Sequence, residues 1–110
     1  MLAKEKKLRS YEHVYVIKKG KRNHHELFTL VYKENGLDTT RCSLTVSKKV
    51  AKKAVMRNRI KRKLFSFLHK TYPQFRLGFD TVIIIQKNFL EMDFQKIEEE
   101  LMEVFKPILK

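Results

Sequence analysis

Apolar positions recur along the chain with two different periods, and the changes between them predict six elements in the order α-β-β-α-β-α. Ser10 offers an N-cap for a short helix that runs to about Lys19 and is closed by Gly20. Leu27 to Lys33 reads as a strand, followed by a turn at Glu34-Asn35-Gly36. Arg41 to Ser47 alternates cleanly, with Cys42, Leu44 and Val46 on one face and polar residues on the other, which is a strand with one buried and one wet face. Ala54 to about Lys70 returns to the helical period, with Met56, Ile60, Leu64, Phe67 and Leu68 on one stripe, and Thr71-Tyr72-Pro73 breaks it. Thr81 to Gln86 is β-branched and apolar on both faces, so it is a central or doubly covered strand. Asp93 caps a last helix to about Lys106, with Phe94, Ile97, Leu101, Val104 and Phe105 buried, Glu98, Glu99, Glu100 and Glu103 exposed, and Pro107 as the stop.

This pattern predicts an α+β fold. The strands at 27–33 and 41–47 form an antiparallel hairpin, and residues 41–86 form a βαβ crossover with a parallel strand pair. In the first helix, Tyr11, Val14 and Tyr15 share a stripe that must pack on something, because ten residues are too few for a helix stable alone. Two readings stay open: both tyrosines are core, or their rings line a groove where unpaired bases stack.

Charge changes the picture most in residues 47–63, which contain nine basic side chains and no acidic one. A solvated helix normally mixes the two signs, so this segment expects an external polyanion. The acid-free zone extends over residues 39–79 with twelve Lys or Arg, and most of the net charge of +13 is concentrated there. Residues 80–110 carry a net negative charge, so the chain has a basic face and a contrasting rear, the footprint of a nucleic-acid interface. On a helical wheel, Arg57 and Lys61 fall roughly 60° and 100° to one side of Ile60, while Arg59 and Lys63 fall on the other. Asn58 and Arg62 lie on top.

Length and a hydrophobic fraction of 43% fit one self-folding domain over residues 1–110, with 1–9 as a basic flexible arm. The single Cys42 allows no internal disulfide, and adjacent His24 and His25 lack further ligands at zinc spacing. No signal-peptide core or membrane-length apolar run is present, so the chain reads as soluble, unprocessed and cytoplasmic, with no membrane partner and no small-molecule substrate. A self-sufficient nuclease would need a carboxylate cluster or a paired acid and base, and the basic segment contains no carboxylate.

Val46-Ser-Lys-Lys-Val50 followed by Ala54-Val-Met-Arg-Asn-Arg-Ile-Lys-Arg62 closely resembles the signature of the bacterial ribonuclease P protein subunit. Tyr11 to Tyr15 resembles the family's aromatic first helix. The resemblance implies a small two-layer α/β sandwich with a left-handed βαβ crossover through the basic helix, against the general right-handed rule. It implies partnership with a catalytic RNA subunit and precursor tRNA, and RNA-catalysed removal of the 5′ leader with Mg²⁺ held mainly by the RNA. No catalytic or metal-binding residue is then expected in this chain. The resemblance carries over Arg57, Asn58, Arg59, Lys61 and Arg62 as the motif and Tyr11 and Tyr15 as cleft aromatics. With the buried stripe dividing the cations, the catalytic RNA is expected at Arg59, Arg62, Lys63, Lys48 and Lys49, and the leader at Tyr11, Tyr15, Arg57, Asn58, Lys61 and Phe65. Three positions depart from the family pattern: Ser43 for a common Gly, Phe65 for a common Arg, and Val31, with Tyr32 beside it, for a strand aromatic. Phe65 either packs beneath Tyr72 or Phe75 or stacks on a leader base. The alternative function is a ribosomal-type RNA-binding protein with no part in catalysis, which composition alone would favour.

Overall fold

The computed structural model describes residues 6–110. In chain order the elements are α1 (Ser10–Lys19), β1 (Lys21–His24), β2 (Phe28–Glu34), β3 (Arg41–Val46), α2 (Ala54–Thr71), β4 (Phe79–Ile85) and α3 (Phe94–Phe105). Short 3-10 turns at Tyr72–Gln74 and Lys106–Ile108, each containing a proline, finish α2 and α3. Of the expected arm, residues 1–5 lie outside the described part, and Lys7 and Leu8 run beside β3, where the Leu8 amide donates to the Cys42 carbonyl at 3.1 Å.

The four strands form one sheet in the order β1-β2-β4-β3. β4 is parallel to β3 and antiparallel to β2, with Ile83 opposite both Leu44 and Leu30. The parallel pair and the central place of Thr81–Ile85 agree with the sequence. The expected hairpin of β2 with β3 does not form, because β4 lies between them. A strand apolar on both faces gains most from a neighbour on each edge and a layer on each face. The hairpin instead joins β2 to β1, an element absent from the sequence prediction. Lys-Arg-Asn-His has no apolar alternation, and β1 exists through main-chain pairing at the sheet edge and through Asn23, whose amide donates to the Val104 carbonyl of α3 at 2.8 Å.

One face of the sheet carries the main core. Phe28, Leu30, Cys42, Ile83 and Ile85 meet Ile60, Leu64, Phe67 and Leu68 of α2 and Ile97, Leu101, Val104 and Phe105 of α3. Asp93 caps α3 by accepting from the Gln95 amide at 3.1 Å. Two of the glutamates expected in plain solvent have work in the fold: Glu100 accepts from the Leu27 amide at 2.9 Å, and Glu98 pairs with Lys70 of α2.

The opposite face carries α1, packed through Val16 on Val31 and Val82, with Leu8, Ile17 and Ile84 around them. The Tyr11, Val14 and Tyr15 stripe stays largely exposed, at 68%, 51% and 54%, so the tyrosines are not core. The N-cap of α1 is Arg9 rather than Ser10, and the Arg9 amide donates to Glu12 Oε1 at 2.9 Å. Gly20 ends the helix in extended rather than left-handed backbone, and what requires glycine there is space. A Cβ would stand 2.7 Å from the Val16 carbonyl oxygen and 2.8 Å from Val31 Cγ1. Gly20→Ala is therefore expected to lower stability by about 2 kcal/mol, read as a lower urea midpoint at unchanged slope.

Candidate nucleic-acid interface

The buried stripe of α2 divides its cations. Arg59, Arg62 and Lys63, with Ser66, line a groove whose far wall is Leu90, and Lys63 Nζ lies 5.3 Å from the centre of the Phe94 ring. On the other flank, Lys61 and Phe65 face Lys7, Leu8 and the Cys42–Leu44 stretch of β3 across a second, smaller groove. Asn58 is exposed between them. Phe65 is half-buried against the main core, and Lys7 Nζ sits 5.4 Å from its ring centre. Tyr72, which the sequence offered as a cover for Phe65, makes an edge contact with Phe75 and has Lys6 Nζ 4.1 Å from its ring centre.

The loop before α2 is a turn in which the Val50 and Ala51 amides both donate to the Ser47 carbonyl, leaving Lys48 and Lys49 exposed. Arg57 reaches back to this loop, its Nη1 donating to the carbonyls of Ala51 at 2.9 Å and Lys52 at 2.7 Å. One cation of the motif thus fixes the loop that carries two others. No acidic residue stands in the first turn of α2 to offset the positive N-terminal end of the helix dipole.

Tyr11 and Tyr15 rim a third groove between α1 and the sheet, with Lys33, Glu34 and Asn35 on the far side and Glu12, Arg41 and Asp80 among its lining. Lys33 Nζ lies 5.9 Å from the Tyr15 ring centre. Pairing of β2 with β4 is regular from Phe28 to Glu34, so no bulge shifts the register. Val31 therefore faces α1, while Tyr32 turns to the main-core side and packs edge-on against Phe79. Lys33 takes the groove side two residues after Val31. Sequence reasoning missed it because a single lysine at a strand end carries no periodic signal.

Among the described cations, Arg41 is the most constrained. Its Nε and Nη2 donate to the two carboxylate oxygens of Asp80 at 2.8 and 2.7 Å, and its Nη1 donates to Glu12 Oε2 at 2.6 Å. These bonds, those to Asp80 first, raise its pKa further above the ordinary arginine range. His13 sits between two β3 hydroxyls, with Nδ1 2.6 Å from Ser43 Oγ and Nε2 2.9 Å from Thr45 Oγ1. Burial lowers its pKa and favours the neutral ring, whose one donor and one acceptor match the two hydroxyls. Burial likewise pushes the Cys42 thiol up to about 12, so it is a core residue rather than a nucleophile.

The family model described as Ribonuclease P matches residues 2–109. The chain belongs to the ribonuclease P protein family. Ribonuclease P protein components from Syntrophus aciditrophicus and a Synechocystis strain are 40% and 36% identical to it, over 87% and 82% of this chain and 78% and 73% of theirs. The solved ribonuclease P protein of Thermotoga maritima superposes with a TM-score of 0.84 at 28% identity, covering 94% of this chain and 98% of that one. As a ribonuclease P protein, the chain is part of an endoribonuclease that processes tRNA as a ribonucleoprotein, and its partner is the RNA subunit. The ribosomal alternative is thereby set aside. Ribonuclease P is in general Mg²⁺-dependent. Among the described residues, no group of three His, Cys, Asp or Glu is arranged to hold a metal ion, and no helix is long and apolar enough to cross a membrane.

Proposed function

We propose that this protein grips two RNAs on opposite flanks of α2. Arg59, Arg62 and Lys63, with Lys48 and Lys49 of the preceding loop, hold the catalytic RNA. Lys61, Asn58 and Phe65, continued by Tyr11 and Tyr15 on α1, hold the 5′ leader of precursor tRNA, and Arg57 braces the loop between the two sets. The hydrolytic step belongs to the RNA with its Mg²⁺, and the protein's share is affinity for the substrate.

The separation of the cations by the buried Ile60–Leu64–Phe67 stripe supports this reading. Two grooves on opposite sides of one helix suit two strands better than one. The leader flank adds rings to cations, which suits unpaired bases, since a base stacked on an aromatic side chain contributes about 1 to 3 kcal/mol with little sequence preference. The other flank gathers three cations, Arg59, Arg62 and Lys63, in one groove, which suits a folded RNA held by its phosphates.

Lys61→Ala provides the test. In the assembled enzyme it is expected to weaken binding of precursor tRNA about fivefold, taking about 1 kcal/mol for one exposed charge-assisted contact. Affinity for mature tRNA and for the RNA subunit should hold. Equal loss for precursor and mature tRNA would remove Lys61 from the leader.

A further inference from the structure

Helix α1 has ten residues, and of these only Val16 is buried. Such a helix is neither stable alone nor held in one rotation by so small an apolar contact. What fixes it is polar. Glu12 uses both carboxylate oxygens: Oε1 accepts from the Arg9 amide and Oε2 from Arg41 Nη1. The remaining two nitrogen positions of the Arg41 fork close on Asp80, which is 8% exposed and also accepts from Asn35 Nδ2 at 2.8 Å. The next residue, His13, is clamped between Ser43 and Thr45. Arg41, Ser43 and Thr45 project from the same face of β3, so two consecutive helix residues are pinned along one strand.

Two pins about 100° apart on the helix circumference set its rotation as well as its distance from the sheet. Tyr11 adjoins Glu12 in sequence, and Tyr15 lies one turn further on. We infer that Glu12, Arg41 and Asp80 are positioning residues, which hold α1 so that Tyr11 and Tyr15 present their rings to the leader, and that Arg41 contacts no phosphate although it stands in the acid-free basic segment. A largely desolvated ion network adds little to net stability, because desolvation offsets much of its Coulombic gain. The inference rests on the leader reading above and goes beyond it by assigning residues that touch no RNA.

A double-mutant cycle in the assembled enzyme tests it, using the ratio of kcat/KM for precursor tRNA with a long leader to that with a single-nucleotide leader. Glu12→Gln keeps the acceptor for the Arg9 amide and removes the charge. It is expected to lower the ratio about fivefold, and to have no further effect once Tyr11 and Tyr15 are both alanine. Arg41→Gln, checked for folding by circular dichroism, is expected to leave the salt dependence of RNA-subunit and precursor binding unchanged. Should Glu12→Gln cost the same without the tyrosines as with them, or cost nothing with them, the positioning role is wrong. A salt slope reduced by about one in Arg41→Gln would make Arg41 a phosphate ligand and overturn the inference equally. If removing both tyrosines leaves the ratio intact, the leader reading itself fails, and the positioning role with it.

Discussion

Replacing Arg59, Arg62 and Lys63 together by alanine is expected to reduce affinity for the RNA subunit about 100-fold and to flatten the dependence of log affinity on log salt by roughly two units. The first figure takes about 1 kcal/mol for each of three charge-assisted contacts. The second follows from counterion release, in which each phosphate contact contributes somewhat less than one unit of slope. The three side chains are exposed and line a groove on the flank of α2, away from Ile60, Leu64 and Phe67, so the fold should survive their truncation. Titrations of labelled RNA subunit at several salt concentrations give both numbers at once. Affinity and slope that both stay at wild-type values would place the catalytic RNA elsewhere on the protein.

The largest loss of stability is expected at Phe105. Its ring is fully buried and stacks on Phe75, with centroids 4.9 Å apart and planes 15° from parallel, and it meets Phe67 of α2 at 5.9 Å. Through these two contacts the end of α3 is joined to α2 and to the turn that follows it. Phe75 is held by main-chain bonding as well, since it bridges to Leu109 and its neighbour Arg76 donates to the Ile108 carbonyl at 2.7 Å. A cavity at Phe105 therefore has rigid walls and collapses poorly. Phe105→Ala is expected to cost about 3 to 5 kcal/mol, enough to lower the melting temperature by more than 10 °C, roughly 4 °C or more per kcal/mol in a chain of this size. A shift of only a degree or two would show that the two turns repack around the void.

The helices α2 and α3 were legible because their apolar stripes are long and their ends carry strong signals, Pro73 beyond one and Asp93 before the other. Their boundaries agree with the sequence reading to about one residue. Helix α1 was legible as a helix, but its apolar stripe allowed either a core or a groove-lining placement of the tyrosines. Charged and hydroxylic partners of Glu12 and His13 decide between them and leave Tyr11, Val14 and Tyr15 exposed. The partner of Glu12 is Arg41, and no local spacing shows that two residues so far apart will meet. Lys-Arg-Asn-His gave no strand signal, and the place of β4 between β2 and β3 is a property of the whole sheet. The arginines and lysines of the basic segment were all visible, but Arg41 and Arg57 use nitrogens on the protein itself, and only coordinates separate such cations from free ones.

The place of β4 also sets the order in which the chain can assemble. β1 and β2 are adjacent in sequence and can pair early, while β3 has no full-length strand partner until β4 has been made, after the whole of α2. Pairings of such long sequence separation close slowly, because chain entropy is lost before contacts form. Throughout that interval the most basic stretch of the protein is joined to an unfinished sheet, and its uncompensated charges repel one another. A polyanion that binds the finished arrangement better than the open chain draws the equilibrium toward it, by an amount that grows with the concentration of that polyanion. RNA that binds the finished arrangement is therefore expected to raise the folded fraction of the chain as well as to occupy its surface.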